Sequence, residues 1–157
     1  MIVADAGPLI VLLKINKLSI LKDLFGTVNV PIAVYDEITA RPQDKADFLK
    51  MEWLKPVKIK EDSDYKLLEK LVDQGEAEAI ILAKELETSL LVDDAKARKY
   101  AALLNVEVIG TLGLLKLAKN HGKIVSVRAA INDMLAQGYY IDNKLIVKLL
   151  EDTGEYS

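Results

Sequence analysis

The sequence predicts an α/β protein in three layers, α/β/α, with a five-stranded parallel sheet and additional helices at the C-terminal end. Three observations predict it. Five short apolar runs, at residues 2–4, 28–30, 57–59, 90–92 and 106–109, are separated throughout by helical patterns. That alternation favours parallel strands joined by right-handed helical crossovers. The chain has 157 residues, enough for one domain with a real core. It is 51% hydrophobic and 29% charged, the balance of a folded globule and not of a disordered tail.

The elements follow in order. Met1-Ile2-Val3-Ala4 reads as a buried strand that delivers Asp5 to its carboxyl edge. A tight Ala6-Gly7-Pro8 step then leads into a short helix over residues 8–14. Apolar residues at 18, 20, 21, 24 and 25 mark a second helix, which Gly26 stops in the usual C-terminal position. Pro31 suits the first turn of a helix over 32–40. Pro42 closes it, and 43–54 reads as a further amphipathic helix carrying Phe48, Met51 and Trp53. After the strand at 57–59, Asp62 or Ser63 caps a helix holding Tyr65, Leu67, Leu68, Leu71 and Val72. Gly75 breaks that helix, and a strong Ala-, Ile- and Leu-rich helix runs over 76–87. Helices at 94–104 and 111–120 flank the last strand. Two more, at 124–136 and 143–152, are joined by Gly138-Tyr139-Tyr140-Ile141. The expected organisation is a single domain over 1–157, with an α/β core at 1–120 and a helical extension at 121–157.

Composition narrows the chemistry. The absence of cysteine excludes disulfides, thiolate metal sites and cysteine nucleophiles. No apolar run approaches the roughly 20 residues that span a bilayer, and the N-terminus lacks the basic region and cleavage site of a signal peptide. The expected compartment is the cytoplasm. A net charge of -3 argues against a broad nucleic-acid-binding face but leaves room for a small basic rim around an acidic pocket.

The acids carry the functional signal. Asp5 at a strand end can serve as a helix cap, as a ligand, or as both. Leu90-Leu91-Val92-Asp93-Asp94 repeats the pattern with two carboxylates, of which one should face the same spot as Asp5 and the other cap the next helix. Which does which stays open. In a five-strand sheet the first and fourth strands are commonly neighbours where chain direction across the sheet reverses, which sets Asp5 beside one of the pair. Glu76 lines up with Ile80 and Ala83 on an apolar helix face, where an unpaired charge is costly. Glu78 falls nearer the border. Glu37 lies in a row with Ala33 and Val34. Converging carboxylates without cysteine, and with one histidine, His121, suit a hard cation such as Mg²⁺ or Mn²⁺. Lys96 and Arg98, one turn beyond the acid pair, are candidates for contacting phosphate, although solvated helix charge explains them as well.

These pieces together resemble a known family. Val3-Ala4-Asp5-Ala6-Gly7-Pro8-Leu9-Ile10, Pro31-Ile32-Ala33-Val34-Tyr35-Asp36-Glu37-Ile38, Gly75-Glu76-Ala77-Glu78-Ala79-Ile80 and Leu91-Val92-Asp93-Asp94-Ala95-Lys96-Ala97-Arg98 resemble a PIN domain of the VapC-like kind. Within it, they resemble a prokaryotic branch of predicted nucleic-acid-binding proteins, and Val108-Ile109-Gly110-Thr111-Leu112-Gly113-Leu114-Leu115 looks like that branch too. The resemblance implies a metal-dependent endoribonuclease with Asp5, Glu37, Glu76 and Asp93 or Asp94 at its acidic positions. Asp5, Asp93, Asp94 and Glu76 would hold Mg²⁺ or Mn²⁺. It also implies a toxin restrained by a small antitoxin, acting on RNA as a homodimer. Many PIN domains have Asp where this chain has Glu76, and Ser or Thr near the position of Gly7. The alternative is a PIN-fold protein that binds nucleic acid or a partner without cutting. A haloacid-dehalogenase-type phosphatase needs a second Asp where Gly7 stands, and a receiver domain needs a lysine where Thr111 stands.

Overall fold

The computed structural model describes residues 1–156. Strand β1 (Ile2–Ala4) lies at the centre of a five-stranded parallel sheet, between β2 (Val28–Pro31) and β4 (Leu90–Leu91). The outer strands are β3 (Leu54–Val57), beside β2, and β5 (Val108–Ile109), beside β4. The order is β3-β2-β1-β4-β5. Because successive side chains of a strand point to opposite faces, Ile2 and Ala4 enter one apolar cluster and Val3 another. Leu91 likewise joins the first and Leu90 the second. The sheet is the middle of three layers, as the sequence predicts.

On the first face pack α1 (Ala6–Lys14), α2 (Ser19–Phe25), α3 (Ile32–Thr39) and α4 (Lys45–Leu49), through residues such as Leu9, Leu21, Ile38 and Phe48. On the second lie α5 (Ser63–Leu68), α6 (Gln74–Leu86) and α7 (Ala95–Leu103). The remaining helices, α8 (Thr111–Asn120), α9 (Val127–Ala136) and α10 (Asn143–Asp152), add Leu114, Val127, Met134 and Leu149 to the first cluster. The C-terminal helices therefore share the core of the α/β part.

Several boundaries differ from the sequence reading. The third strand is Leu54–Val57 and not 57–59, because Pro56 is tolerated there: β3 is an edge strand. Ile59 is buried in the second cluster without being in a strand. The helix expected over 43–54 spans only Lys45–Leu49, since the Trp53 carbonyl already accepts from Val28 and commits the chain to the sheet. Gly7-Pro8 and Gly75 are not breaks. Each lies in the first turn of its helix, where backbone amides need no partner within the helix.

Candidate functional site

Asp5 is placed by the pairing of β1 with β4. Ala4 stands beside Leu91, and the Asp5 amide donates to the Leu91 carbonyl at 2.9 Å. The order of strands reverses here, with β2 and β3 on one side and β4 and β5 on the other. Ligands of open α/β sheets bind in the crevice at this point. The expected adjacency of the first and fourth strands is present.

Asp5 occupies the cap position of α1, yet its carboxylate makes no capping bond. It is 9% exposed. Burial pushes its carboxyl up to about 7; the Ala6 amide opposes that shift, and the charges of Glu76, Asp73 and Glu37 add to it. Glu37, on α3, is raised by partial burial and by Asp73, with Arg41 one turn further on pulling it back. Its Oε1 lies against the start of α6, 3.7 Å from where a side chain at Gly75 would begin. Glu76 is raised by burial and by the charges of Asp73 and Asp94, against the pull of the Asp73 amide. Glu76, at the start of α6, and Glu37, in the second half of α3, thus both act on Asp5, and Asp94 acts on Glu76.

The two carboxylates at the end of β4 divide their work. Asp94 caps α7, accepting from the Ala97 amide at 2.9 Å. Asp93 accepts from the Thr111 amide at 2.7 Å and from its hydroxyl at 2.6 Å, joining β4 to the start of α8. Among the described residues no three Asp, Glu or His side chains converge closely enough to hold a metal ion as they stand. The donor chemistry nonetheless fits a hard divalent cation: the oxygens are carboxylate, and buried like charges raise one another's pKa in the way a bound cation would relieve.

Sequence reasoning missed several contributors. Asp73 caps α6, accepting from the Glu76 amide at 2.8 Å, while Glu76 accepts from the Asp73 amide at 3.1 Å. The Asp-x-x-Glu spacing of a capping box was the signal that could have found it. The relative burial of Glu76 and Glu78 is also the reverse of the expectation. Glu78 is 8% exposed, and Glu76 is only partly buried. The reason is that α6 is buried almost all round, from Ala77 to Ala83, so no single row of the helix marks its inner face.

Glu78 fastens two site-bearing helices. Its Oε1 accepts from the Ala33 amide at 3.2 Å, in the first turn of α3, and its Oε2 accepts from the Gln74 side-chain amide at 3.1 Å. Glu78→Ala leaves the part-buried Ala33 amide unpaired and should lower stability by about 1–3 kcal/mol. Glu78→Gln keeps an acceptor oxygen and should recover most of the loss. Urea unfolding of the two variants checks this, and equal losses would contradict the role of the Ala33 bond.

The basic residues separate too. Arg98 donates from Nη1 to the Val92 carbonyl at 3.3 Å. Gly110 makes room for it, since a Cβ there would lie 2.5 Å from Arg98 Nη1 and 3.0 Å from Asp93 Oδ1. Lys96 is exposed on α7. Lys14 and Arg41 instead line the groove that opens beside Gly7, Asp93 and Thr111.

A family model, DUF3368, described as a PIN domain, matches residues 1–155. No curated protein matches the chain.

Proposed function

The chain belongs to the DUF3368 family of PIN domains, and from that premise we propose that it is a metal-dependent endoribonuclease. PIN domains are typically nucleases that use divalent metals. The observation that carries the reading is Asp5. It is a buried carboxylate without a capping bond, at the reversal point of the sheet, pushed up to about 7 amid other acids.

In this reading Asp5, Glu76 and one of Asp93 and Asp94 hold Mg²⁺ or Mn²⁺. Such an ion, when bound, lowers the pKa of a water and neutralises charge on a scissile phosphate. Asp94 is the better placed of the pair, because its charge already acts on Glu76 while both oxygens of Asp93 are engaged by Thr111. Glu37, on the exposed rim, orients the attacking water for in-line displacement at an RNA phosphate. Asp73 and Glu78 hold the helices that present these groups. The same reading makes the protein the cytoplasmic toxin of a toxin–antitoxin pair, working as a homodimer and restrained by a small antitoxin. No helix among the described residues is long and apolar enough to cross a membrane.

One observation favours a second reading, in which the fold binds RNA or a partner without cutting it. The carboxylates do not converge to ligand distance among the described residues. Purified protein incubated with unstructured RNA separates the two. Cleavage with Mn²⁺ or Mg²⁺, its loss in chelator and its loss in Asp5→Asn are the expected results. Wild type and Asp5→Asn behaving alike under every metal would refute the nuclease reading.

A further inference from the structure

A groove of about 710 Å³ lies beside the acid site and has Gly7, Asp93 and Thr111 in its lining. We propose that this groove is a subsite for an unpaired nucleotide of RNA, its base stacked on Tyr140 and its phosphate held by Lys14 and Arg41. The inference rests on the ribonuclease reading and adds to it the residues that hold the strand beside the cut.

Four features point to that occupant. Tyr140 is 89% exposed, presenting a large aromatic ring that the core does not use. Its neighbour Tyr139 is half-buried, with Lys14 Nζ 5.5 Å from the ring centroid, so a cation and an aromatic face already stand together in the groove. Arg41 lines the same groove while pairing through Nε with Asp44 at 2.6 Å, and its charge also acts on Glu37. Arg98, by contrast, is turned to the Val92 carbonyl. A strand cut at the carboxylates must leave the site along some surface, and this groove shares Asp93 with the acids and carries both cations.

Two acids, Asp93 and Asp142, also line the groove, and each is held by hydrogen bonds of its own. Asp142 accepts from the Lys144 amide at 2.8 Å as the cap of α10, and Asp93 is held by Thr111. Stacking on an aromatic ring needs an open base face, which a duplex does not offer, and it accepts every base because each has a π-face. The subsite therefore selects single strands without reading sequence.

The test uses a fluorescently labelled unstructured oligoribonucleotide and the same strand in a duplex. Fluorescence anisotropy in chelator gives affinity, and cleavage in Mn²⁺ gives KM and kcat. Tyr140→Ala and Lys14→Ala change exposed side chains and should fold normally. Each should weaken single-strand binding or raise KM by about tenfold. Tyr140→Trp should restore it, Lys14→Ala should lower the salt dependence, and the duplex should bind more weakly than the single strand. Unchanged affinity and KM in both alanine variants, with wild-type cleavage intact, would overturn the subsite and leave the nuclease reading standing. A dimer that dissociates in Tyr140→Ala while RNA handling is unchanged would assign the groove to a second copy and overturn the proposal. Loss of affinity for an apolar peptide alone would do the same in favour of a protein partner. A wild-type protein that neither binds nor cuts RNA would overturn both readings.

Discussion

Asp5→Asn should make the metal-free protein more stable at pH 8 while lowering its RNA cleavage by roughly 10²-fold or more, the scale on which loss of one directly engaged charge-stabilising group acts. The stability gain follows from the position of Asp5. Its carboxyl is pushed from 3.8 up to about 7, chiefly by burial and further by Glu76, Asp73 and Glu37. Between those two values the folded protein keeps a proton that the unfolded chain has released. The stability associated with that proton is fully present below about pH 4 and is lost as pH rises through about 7, a change on the order of 4 kcal/mol. Asparagine has no such proton, so the variant's stability should depend less on pH across that window. Glu37 and Glu76 are also raised and leave a smaller slope of the same sign. Urea unfolding in chelator at pH 5 and pH 8 measures the difference. Identical pH profiles for wild type and variant would show that Asp5 is not the buried acid described here.

Glu155→Ala should have the largest purely structural effect and leave cleavage unchanged. Glu155 follows the last helix, yet it reaches back to the start of α9. Its carboxylate accepts from the Val127 amide at 2.7 Å, the Ser126 hydroxyl at 2.8 Å and the Arg128 amide at 3.2 Å, and it pairs with Lys119 at 3.1 Å. Burial raises this carboxyl, but the bonds from Val127, Ser126, Arg128 and Lys119 outweigh burial and hold it at about 2. Removing the acceptor leaves two backbone amides of the first turn of α9 without this partner and removes the ion pair of Lys119, which keeps only its bond to the Val125 carbonyl, a loss of about 2–4 kcal/mol. The sign of its pH dependence is opposite to that of Asp5. The contribution of Glu155 is complete above about pH 4.5 and is lost as pH falls towards 2. Acid unfolding of wild type against Glu155→Ala should therefore converge at low pH. A constant gap down to pH 2 would rule out the charged contacts as the cause.

Most of the fold was legible because the apolar runs and the helix signals agree. The Asp5 strand, the Leu90-Leu91 strand and the helices after them needed only the alternation of short apolar runs with helical spacing. What failed has specific causes. Pro56 concealed an edge strand, where proline costs little. Met51 and Trp53 sustained an apparent helical pattern past Leu49. At the sheet edge, the places of Asp5 and the Asp93-Asp94 pair were legible because each ends an apolar run, although a carboxylate there can equally cap a helix, as Asp94 does. For Glu37 the row with Ala33 and Val34 was a weak signal, since it is exposed on its helix, and its assignment rests on the resemblance. Glu78 was undervalued because α6 is enclosed by its neighbours, so sequence rows do not reveal which residue faces α3. Arg41, and Lys14 on α1, could not have been linked to the acids from sequence alone, since the groove they line also takes residues from α8 and α10.

In the proposed function the acids around Asp5 form one metal site. Calorimetric titration of Mn²⁺ into the metal-free protein near pH 6, repeated in buffers of different ionisation enthalpy, tests it without requiring any substrate. The expected result is binding to the wild type with release of the proton that Asp5 holds at that pH, and a large loss of both the binding and the proton release in Asp5→Asn. Binding of equal strength and equal proton release in wild type and variant would contradict it, as would a wild type that takes up no Mn²⁺ at all.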